Sequence, residues 1–298
     1  MKTIKELINE SLTEVEASKA ILRDENIRRV YKACPELKEI DDQILNVRNT
    51  RYIAVIDKDE RLIKRFDIAE EELQIKRDRI MQINKIDPEF DMEKCLCDKC
   101  GDTGFTKGSD GTLKVCSCRK KELEQCYEYS GMADYSSYKM KNYRDDYLGD
   151  PDGRKKIKNE LLKVLLGLSD KDDKTSLWVY SAPPQTGKTF LSVCVCKTAI
   201  NLGKSAYYAK CEDLQTIGTD TLEDLKRIDF LVLDDFADSV TMHSGIGSVL
   251  NSIIEVRTAS KLPTILVTPF SKSELVNKCD MRISGKLQSA KLISKEGR

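Results

Sequence analysis

The sequence predicts an α/β protein in which a parallel-sheet domain is preceded by an all-helical N-terminal module and a small cysteine-rich segment. Three observations predict this. Residues 1–90 repeat apolar positions at helical spacing and carry prolines only at Pro35 and Pro88. Six of the eleven cysteines (Cys95, Cys97, Cys100, Cys116, Cys118, Cys126) fall within 32 residues. From about residue 159 onward, short apolar runs alternate with helical stretches, the pattern of a parallel sheet covered on both faces.

In the helical module, Ile4, Leu7, Ile8, Leu12 and Val15 share one helix face. Pro35 breaks the pattern, and Ile40, Ile44 and Val47 restart it. Leu62, Phe66, Ala69, Leu73, Lys76, Ile80 and Ile83 then alternate four-and-three spacing, a heptad seam with one charged interruption. Such a stripe serves either as the core of an intramolecular bundle or as a partner-binding face.

The cysteines bear on compartment as well as structure. No signal-peptide core follows Met1-Lys2-Thr3-Ile4-Lys5-Glu6 and no apolar run is long enough to span a bilayer, so a cytoplasmic setting is expected. In a reducing compartment, clustered cysteines point to metal rather than disulfides. Cys97-x-x-Cys100 and Cys116-x-Cys118 form two pairs separated by a glycine-rich turn, and four thiolates can close a tetrahedral structural zinc site. Cys95 and Cys126 are spare ligands, and a buried or redox cysteine cluster is the alternative. Cys34, Cys194, Cys196, Cys211 and Cys279 are scattered and read as small core residues. The single histidine, His243, lies far along the chain and reads as a loop residue.

Residues 127–158, rich in Tyr, Asp, Gly and Lys, read as a connection between modules. The sheet domain then begins, with helices at Leu161–Leu168, Phe190–Leu202 and Ile246–Arg257. Strands are expected at Trp178–Ser181, Ala206–Ala209, Phe230–Leu233 and Thr264–Thr268. The division is 1–90 helical, 91–126 zinc-binding, 127–158 linker and 159–298 nucleotide-binding.

The chemistry-bearing motif is Ala182-Pro183-Pro184-Gln185-Thr186-Gly187-Lys188-Thr189, set between a strand and a helix start. In a P-loop, backbone N–H groups and the helix N-terminus cradle the phosphates, the lysine reaches the β- and γ-phosphates, and the Ser/Thr hydroxyl ligates Mg²⁺. Ala182 stands where the pattern has its first glycine, which is tolerable if that backbone needs no positive φ. Phe230-Leu231-Val232-Leu233-Asp234-Asp235 is a buried strand ending in two carboxylates, the second element such a site needs. Asp234 suits Mg²⁺ and Asp235 the attacking water. Thr268 closes the next strand, where a polar residue would sense the γ-phosphate, but Pro269 after it has no N–H to offer.

Composition excludes a bulk field for nucleic acid, because 50 basic and 50 acidic residues cancel. Arg119-Lys120-Lys121 and Arg154-Lys155-Lys156 are local basic runs, of a kind that is usually solvated surface. Arg257 reads as a surface arginine, with an intersubunit contact as the weaker alternative.

The order of parts resembles the DnaC/DnaI-type helicase loaders of bacteria and phages, of the AAA+ class. The likeness is carried by Cys-x-x-Cys-x-Asp-Thr-Gly, Cys-x-Cys, Gly187-Lys188-Thr189-Phe190-Leu191, Leu233-Asp234-Asp235, Leu262-Pro263-Thr264, Ser271–Leu275 and Met281-Arg282-Ile283-Ser284. It implies an AAA+ P-loop domain that binds ATP and single-stranded DNA, self-associates, and helps place a replicative hexameric helicase on DNA. The helical module would bind the helicase. It also implies that Arg282 serves a neighbouring subunit's γ-phosphate. The family's usual second arginine is Lys286 here, which lacks the guanidinium fork, and its sensor asparagine is Pro269. The short stretch beyond this motif leaves no room for a large C-terminal lid. Slow or partner-stimulated ATP turnover is therefore expected. An IstB-like transposition ATPase and a non-hydrolysing helicase-binding adaptor remain alternatives.

Overall fold

The computed structural model describes residues 1–109, 111–146, 149–167, 175–237 and 246–294. Two compact units emerge, Ser11–Asp102, and Met1–Glu10 together with Thr103–Arg298. His243 and the Leu168 end of an expected helix lie outside the described residues.

The first unit is helical. It holds most of α1 (Ile4–Ala33), then α2 (Pro35–Ile56) and α3 (Glu60–Ile83). Pro35 sits at the first turn of α2, where its missing N–H costs nothing. Asp59 caps α3 by accepting from the backbone N–H groups of Arg61 and Leu62. The pairs Asp41–Arg77, Arg48–Glu70 and Arg51–Asp67 run in opposite directions along α2 and α3, so the two form an antiparallel hairpin. Exposed pairs add little stability individually. The apolar anchor is at the other end, where Cys34, Leu37, Met81 and Phe90 are buried together beside Tyr31. The heptad stripe on α3 forms a shallow seam: Phe66, Ala69, Leu73 and Ile80 are half-buried, whereas Ile83 is 71% exposed.

The second unit opens with a hairpin of β1 (Phe105–Lys107) and β2 (Leu113–Val115) and a short helix, α4 (Lys120–Tyr127). After a run of tight turns come α5 (Pro151–Leu166), β3 (Leu177–Ser181), α6 (Lys188–Asn201), β4 (Ala206–Lys210), α7 (Thr219–Leu225) and β5 (Phe230–Asp234). The chain continues through α8 (Ile246–Ala259), β6 (Thr264–Thr268), α9 (Lys272–Lys278), α10 (Met281–Ser289) and β7 (Lys291–Ile293). The strands form one parallel sheet ordered β4-β5-β6-β3-β7. This is the α/β, parallel-sheet architecture expected from the sequence, with helices before it.

Side-chain alternation explains why both faces are covered. Trp178, Tyr180, Tyr208, Phe230, Val232, Ile265 and Val267 join a core with α5 and α6. Leu177, Val179, Tyr207, Ala209, Leu231, Leu233 and Leu266 join a second core with α8, α9 and α10. A period of two along each strand thus feeds two cores. Cys194 and Cys196 on α6 are buried small residues, as their apolar run implied.

Two readings of charge are corrected. Arg257 is not at the surface: it is fully buried, its Nε donating to Thr264 Oγ1 and its terminal nitrogens to the carbonyls of Leu225, Ile228 and Pro263, all at 2.7–2.8 Å. Burial lowers its pKa to about 10, so it remains charged near neutral pH. Its planar fork is matched to several carbonyls at once, which a surface role would not need. The basic runs are likewise only partly solvated. Arg119 and Arg154 are buried, and the lysines beside them are exposed.

The expected linker also takes part in the core. Tyr127, Tyr135, Tyr138, Met140 and Tyr143 pack against the α5–α6 face of the sheet. Gly131, at φ +75°, lies so close to β4 that a Cβ would stand 2.1 Å from the Tyr208 carbonyl oxygen. No side chain fits there.

Replacing Arg257 by Met keeps the volume but strips four hydrogen bonds and leaves three carbonyls dry. Unpaired buried groups cost about 1–3 kcal/mol each, so a marked drop in thermal midpoint is expected in a melting experiment. An unchanged midpoint would contradict the buried role.

Candidate functional site

The P-loop occupies residues 182–187 between β3 and α6, at the C-terminal edge of the sheet, where open α/β folds bind ligands. Gln185 (φ +60°) and Gly187 (φ +85°) take the left-handed conformation, and Ala182 does not. The missing first glycine therefore carries no steric penalty. Ala182 N–H instead donates to Thr268 O at 3.3 Å, holding the start of the loop to β6.

Other residues hold the rest of the loop. Thr186 Oγ1 donates to Pro183 O at 2.8 Å. Arg154, from the first turn of α5, donates to Thr186 O at 2.7 Å and to Arg144 O at 2.9 Å while lying over the Tyr143 ring. This buried arginine escaped the sequence reading because it sits in a lysine run. Lys188 folds back so that Nζ donates to Ala182 O and Pro183 O, both at 2.8 Å. Burial lowers the pKa of this ammonium, and Asp234 and Asp235 push it back up.

Asp234 ends β5 on the face that carries Phe230 and Val232, the α6 face. Fully buried, it accepts from Thr189 Oγ1 at 2.7 Å and from Tyr208 Oη at 2.7 Å on Oδ2, and from Asp235 N on Oδ1 at 2.9 Å. The two acidic and hydroxyl residues singled out from sequence are thus in direct contact, and Tyr208 was missed. Burial, chiefly, with the adjacent Asp234 carboxylate, raises the Tyr208 pKa well above the ordinary phenol range, so it stays a donor.

Asp235 follows at φ +53° and Ala237 at φ +66°, so the chain leaves β5 through two left-handed residues. Non-glycine residues adopt this only where the surroundings enforce it. Thr268 is fully buried, its hydroxyl donating to Phe236 O at 3.0 Å and accepting from Phe270 N at 3.2 Å. It braces the exit from β5. Arg282 is exposed on the first turn of α10, whose N-terminus Asp280 caps. Lys286 is four residues on and half-buried.

The sulfurs of Cys97, Cys100, Cys116 and Cys118 lie within 4.8 Å of one another. Four such thiols are the donor set of a tetrahedral structural zinc ion. Cys97 O receives the N–H groups of Cys100 and Gly101, while Asp102 accepts from Leu96 N and Cys97 N. Cys95 is exposed and Cys126 is buried beside Ser130, both outside this cluster.

The curated proteins include a relative that aligns over more than half of this chain. The replicative helicase loader DnaC of Escherichia coli K12 is 24% identical over 183 residues, covering 57% of this chain and 71% of that protein. The chain resembles the DnaC-type helicase loaders. The Shigella flexneri DnaC matches with the same identity and coverage. No protein-family model matches. Among solved structures, Aquifex aeolicus DnaA with AMPPCP bound aligns over 53% of this chain and half of its own, at 16% identity and a TM-score of 0.42. A DnaI crystal structure aligns over 52% of this chain and 86% of its own, at 19% identity and a TM-score of 0.41. Among the described residues, no helix is long and apolar enough to cross a membrane.

Proposed function

We propose that this chain is an ATP-binding loader of a replicative DNA helicase. The observation that carries the nucleotide half is the Thr189–Asp234 hydrogen bond of 2.7 Å beside a loop of P-loop form. The partner half rests on similarity to DnaC.

Each residue then has a role. Backbone N–H groups of 183–189 and the α6 N-terminus receive the phosphates. Lys188 leaves the carbonyls of Ala182 and Pro183 to meet the β- and γ-phosphates. Thr189 would offer an oxygen lone pair to Mg²⁺ while its hydroxyl stays hydrogen-bonded to Asp234, whose oxygens already receive donors and would reach the ion through water. Mg²⁺ neutralises phosphate charge when bound. Asp235 orients the attacking water, and Arg282 reaches a neighbouring copy's γ-phosphate in an assembled state. Residues 1–90 hold the helicase, 91–126 carry structural zinc, 127–158 join them to the domain at 159–298, and single-stranded DNA is bound by the assembled loader.

Turnover is slow in this reading. Asp235 is short, its backbone is left-handed, and the Thr268 hydroxyl is already committed to Phe236. The latter favours a second reading, a non-hydrolysing adaptor in which ATP only orders the clamp.

The Lys188→Ala variant is expected to lose nucleotide affinity by about 30-fold, since truncating a charged partner costs about 2 kcal/mol or more. Equilibrium binding with an ATP analogue checks this, and undiminished affinity would remove Lys188 from the phosphate site; a variant that still loads helicase would sink the ATP-dependent mechanism. Comparing ATP turnover with and without helicase and single-stranded DNA separates loader from adaptor: no stimulation by either favours the adaptor.

Metal analysis of the purified chain is expected to find one zinc per molecule, lost in a Cys97→Ser/Cys100→Ser double variant. Chelation should then lower the thermal midpoint, because ligand binding free energy is also folding free energy. A zinc-free protein with normal stability would turn the cluster into a redox one.

A further inference from the structure

Tyr208 belongs to neither phosphate-binding element of the sequence, yet it is 2% exposed and donates to Asp234 Oδ2 at 2.7 Å. That oxygen is the one that also takes the Thr189 proton. The meeting follows from register. Tyr208 pairs with Val232 across β4 and β5, so Asp234 is its diagonal neighbour on the same face.

The other side of Tyr208 faces the turns that follow α4. The Tyr135 ring packs edge-on against the Tyr208 ring at 5.3 Å between centroids. Gly131 abuts the Tyr208 carbonyl. Lys197 of α6 donates to the carbonyls of Tyr135 and Tyr138, so this segment is clamped to the P-loop helix as well. A buried tyrosine needs some partner, and any polar group would satisfy that need. Phenylalanine would fill the same space with no partner at all. Here the partner is the carboxylate on which the Thr189 hydroxyl orientation depends.

We propose that Tyr208 is a positioning residue for the Mg²⁺–nucleotide site, holding Asp234 so that Thr189 keeps its lone pairs toward the Mg²⁺ position, and that the Tyr135 ring ties this contact to the segment 128–138. The proposal rests on the nucleotide reading above and deepens it. It makes the turns after α4 a regulator of the site: moving them loosens Asp234 and weakens the metal-dependent part of nucleotide binding. The P-loop's own grip on phosphate is unaffected.

The test uses the full chain and a fluorescent ATP analogue, titrated with Mg²⁺ and in excess EDTA. For Tyr208→Phe, affinity in EDTA should stay within about twofold of the unsubstituted protein, as no phosphate contact is lost. The Mg²⁺ concentration giving half of the affinity gain should rise about tenfold, the usual loss when a group supporting a metal ligand is removed. Tyr135→Leu, which removes the ring packed on Tyr208, should shift the same midpoint in the same direction by a smaller factor. An unchanged Mg²⁺ midpoint in folded Tyr208→Phe overturns the proposal, and so does equal weakening with and without Mg²⁺, which would mark a packing defect. If Tyr208→Phe does not fold, Tyr135→Leu decides, with an unchanged midpoint counting against. Unsubstituted protein that binds no nucleotide under either condition sinks the nucleotide reading and this proposal together. Binding that is normal in the unsubstituted chain but Mg²⁺-insensitive to both substitutions sinks this proposal alone.

Discussion

The Asp234 carboxylate is sealed from solvent and takes donors from three different places: Thr189 on the P-loop helix, Tyr208 on β4 and the next backbone N–H in its own chain. A buried charge is tolerable only with such hydrogen bonding. The arrangement therefore fixes three elements at once, because removing any donor leaves part of a charge unpaired in a dry core. The loop, the metal-facing hydroxyl and the exit from β5 all take their positions from this group. Thr268 completes the frame, its carbonyl anchoring Ala182 and its hydroxyl anchoring Phe236. The floor of the proposed nucleotide site is thus a hydrogen-bonded continuation of the sheet.

Much of this was legible in the sequence, for a physical reason. Strands buried on both faces must be apolar throughout, so Phe230–Leu233 and Thr264–Thr268 stand out by composition, and carboxylates at a strand end are conspicuous. The order of strands was not legible, because parallel strands join neighbours distant in sequence. That order decides that β4 lies beside β5 and hence that Tyr208 reaches Asp234. The strand β7 was missed as well. Three residues are too few to show periodicity, and β7 exists because it pairs with β3.

The arginines were misread for one shared reason. In sequence, Arg154 and Arg119 stand next to lysines, and Arg257 near the end of a helix, all of which look solvated. The structure uses the guanidinium where several carbonyls converge without a carboxylate, as around Arg257. Lysine cannot span such a set of acceptors. Composition counts charge but not donor geometry, so a neutral total hides arginines that serve as internal braces. The same blindness applied to residues 127–146, whose tyrosines sit among Asp, Lys and Gly. A phenol can bury its ring and keep its hydroxyl bonded, so a polar-looking stretch still contributes core.

That last point changes what the P-loop is attached to. A loop with one glycine in its cradle and two consecutive prolines has little conformational freedom of its own, and Arg154 and Thr186 restrain it further. The parts that can respond are around it: the left-handed exit at Asp235 and the aromatic segment that touches Tyr208. Motion in either alters how Asp234 holds Thr189 without remodelling the phosphate cradle. In the proposed ATP-binding role, a site built this way would discriminate between nucleotide states through the edge at Thr189 and Asp234, which suits a device that is set by ATP and reset by contact with something else. A motor needs fast chemistry at Asp235, whereas a switch needs only that the two states of this edge differ in free energy by a few kcal/mol. In the proposed role, the three hydrogen bonds on Asp234 are where two such states would differ.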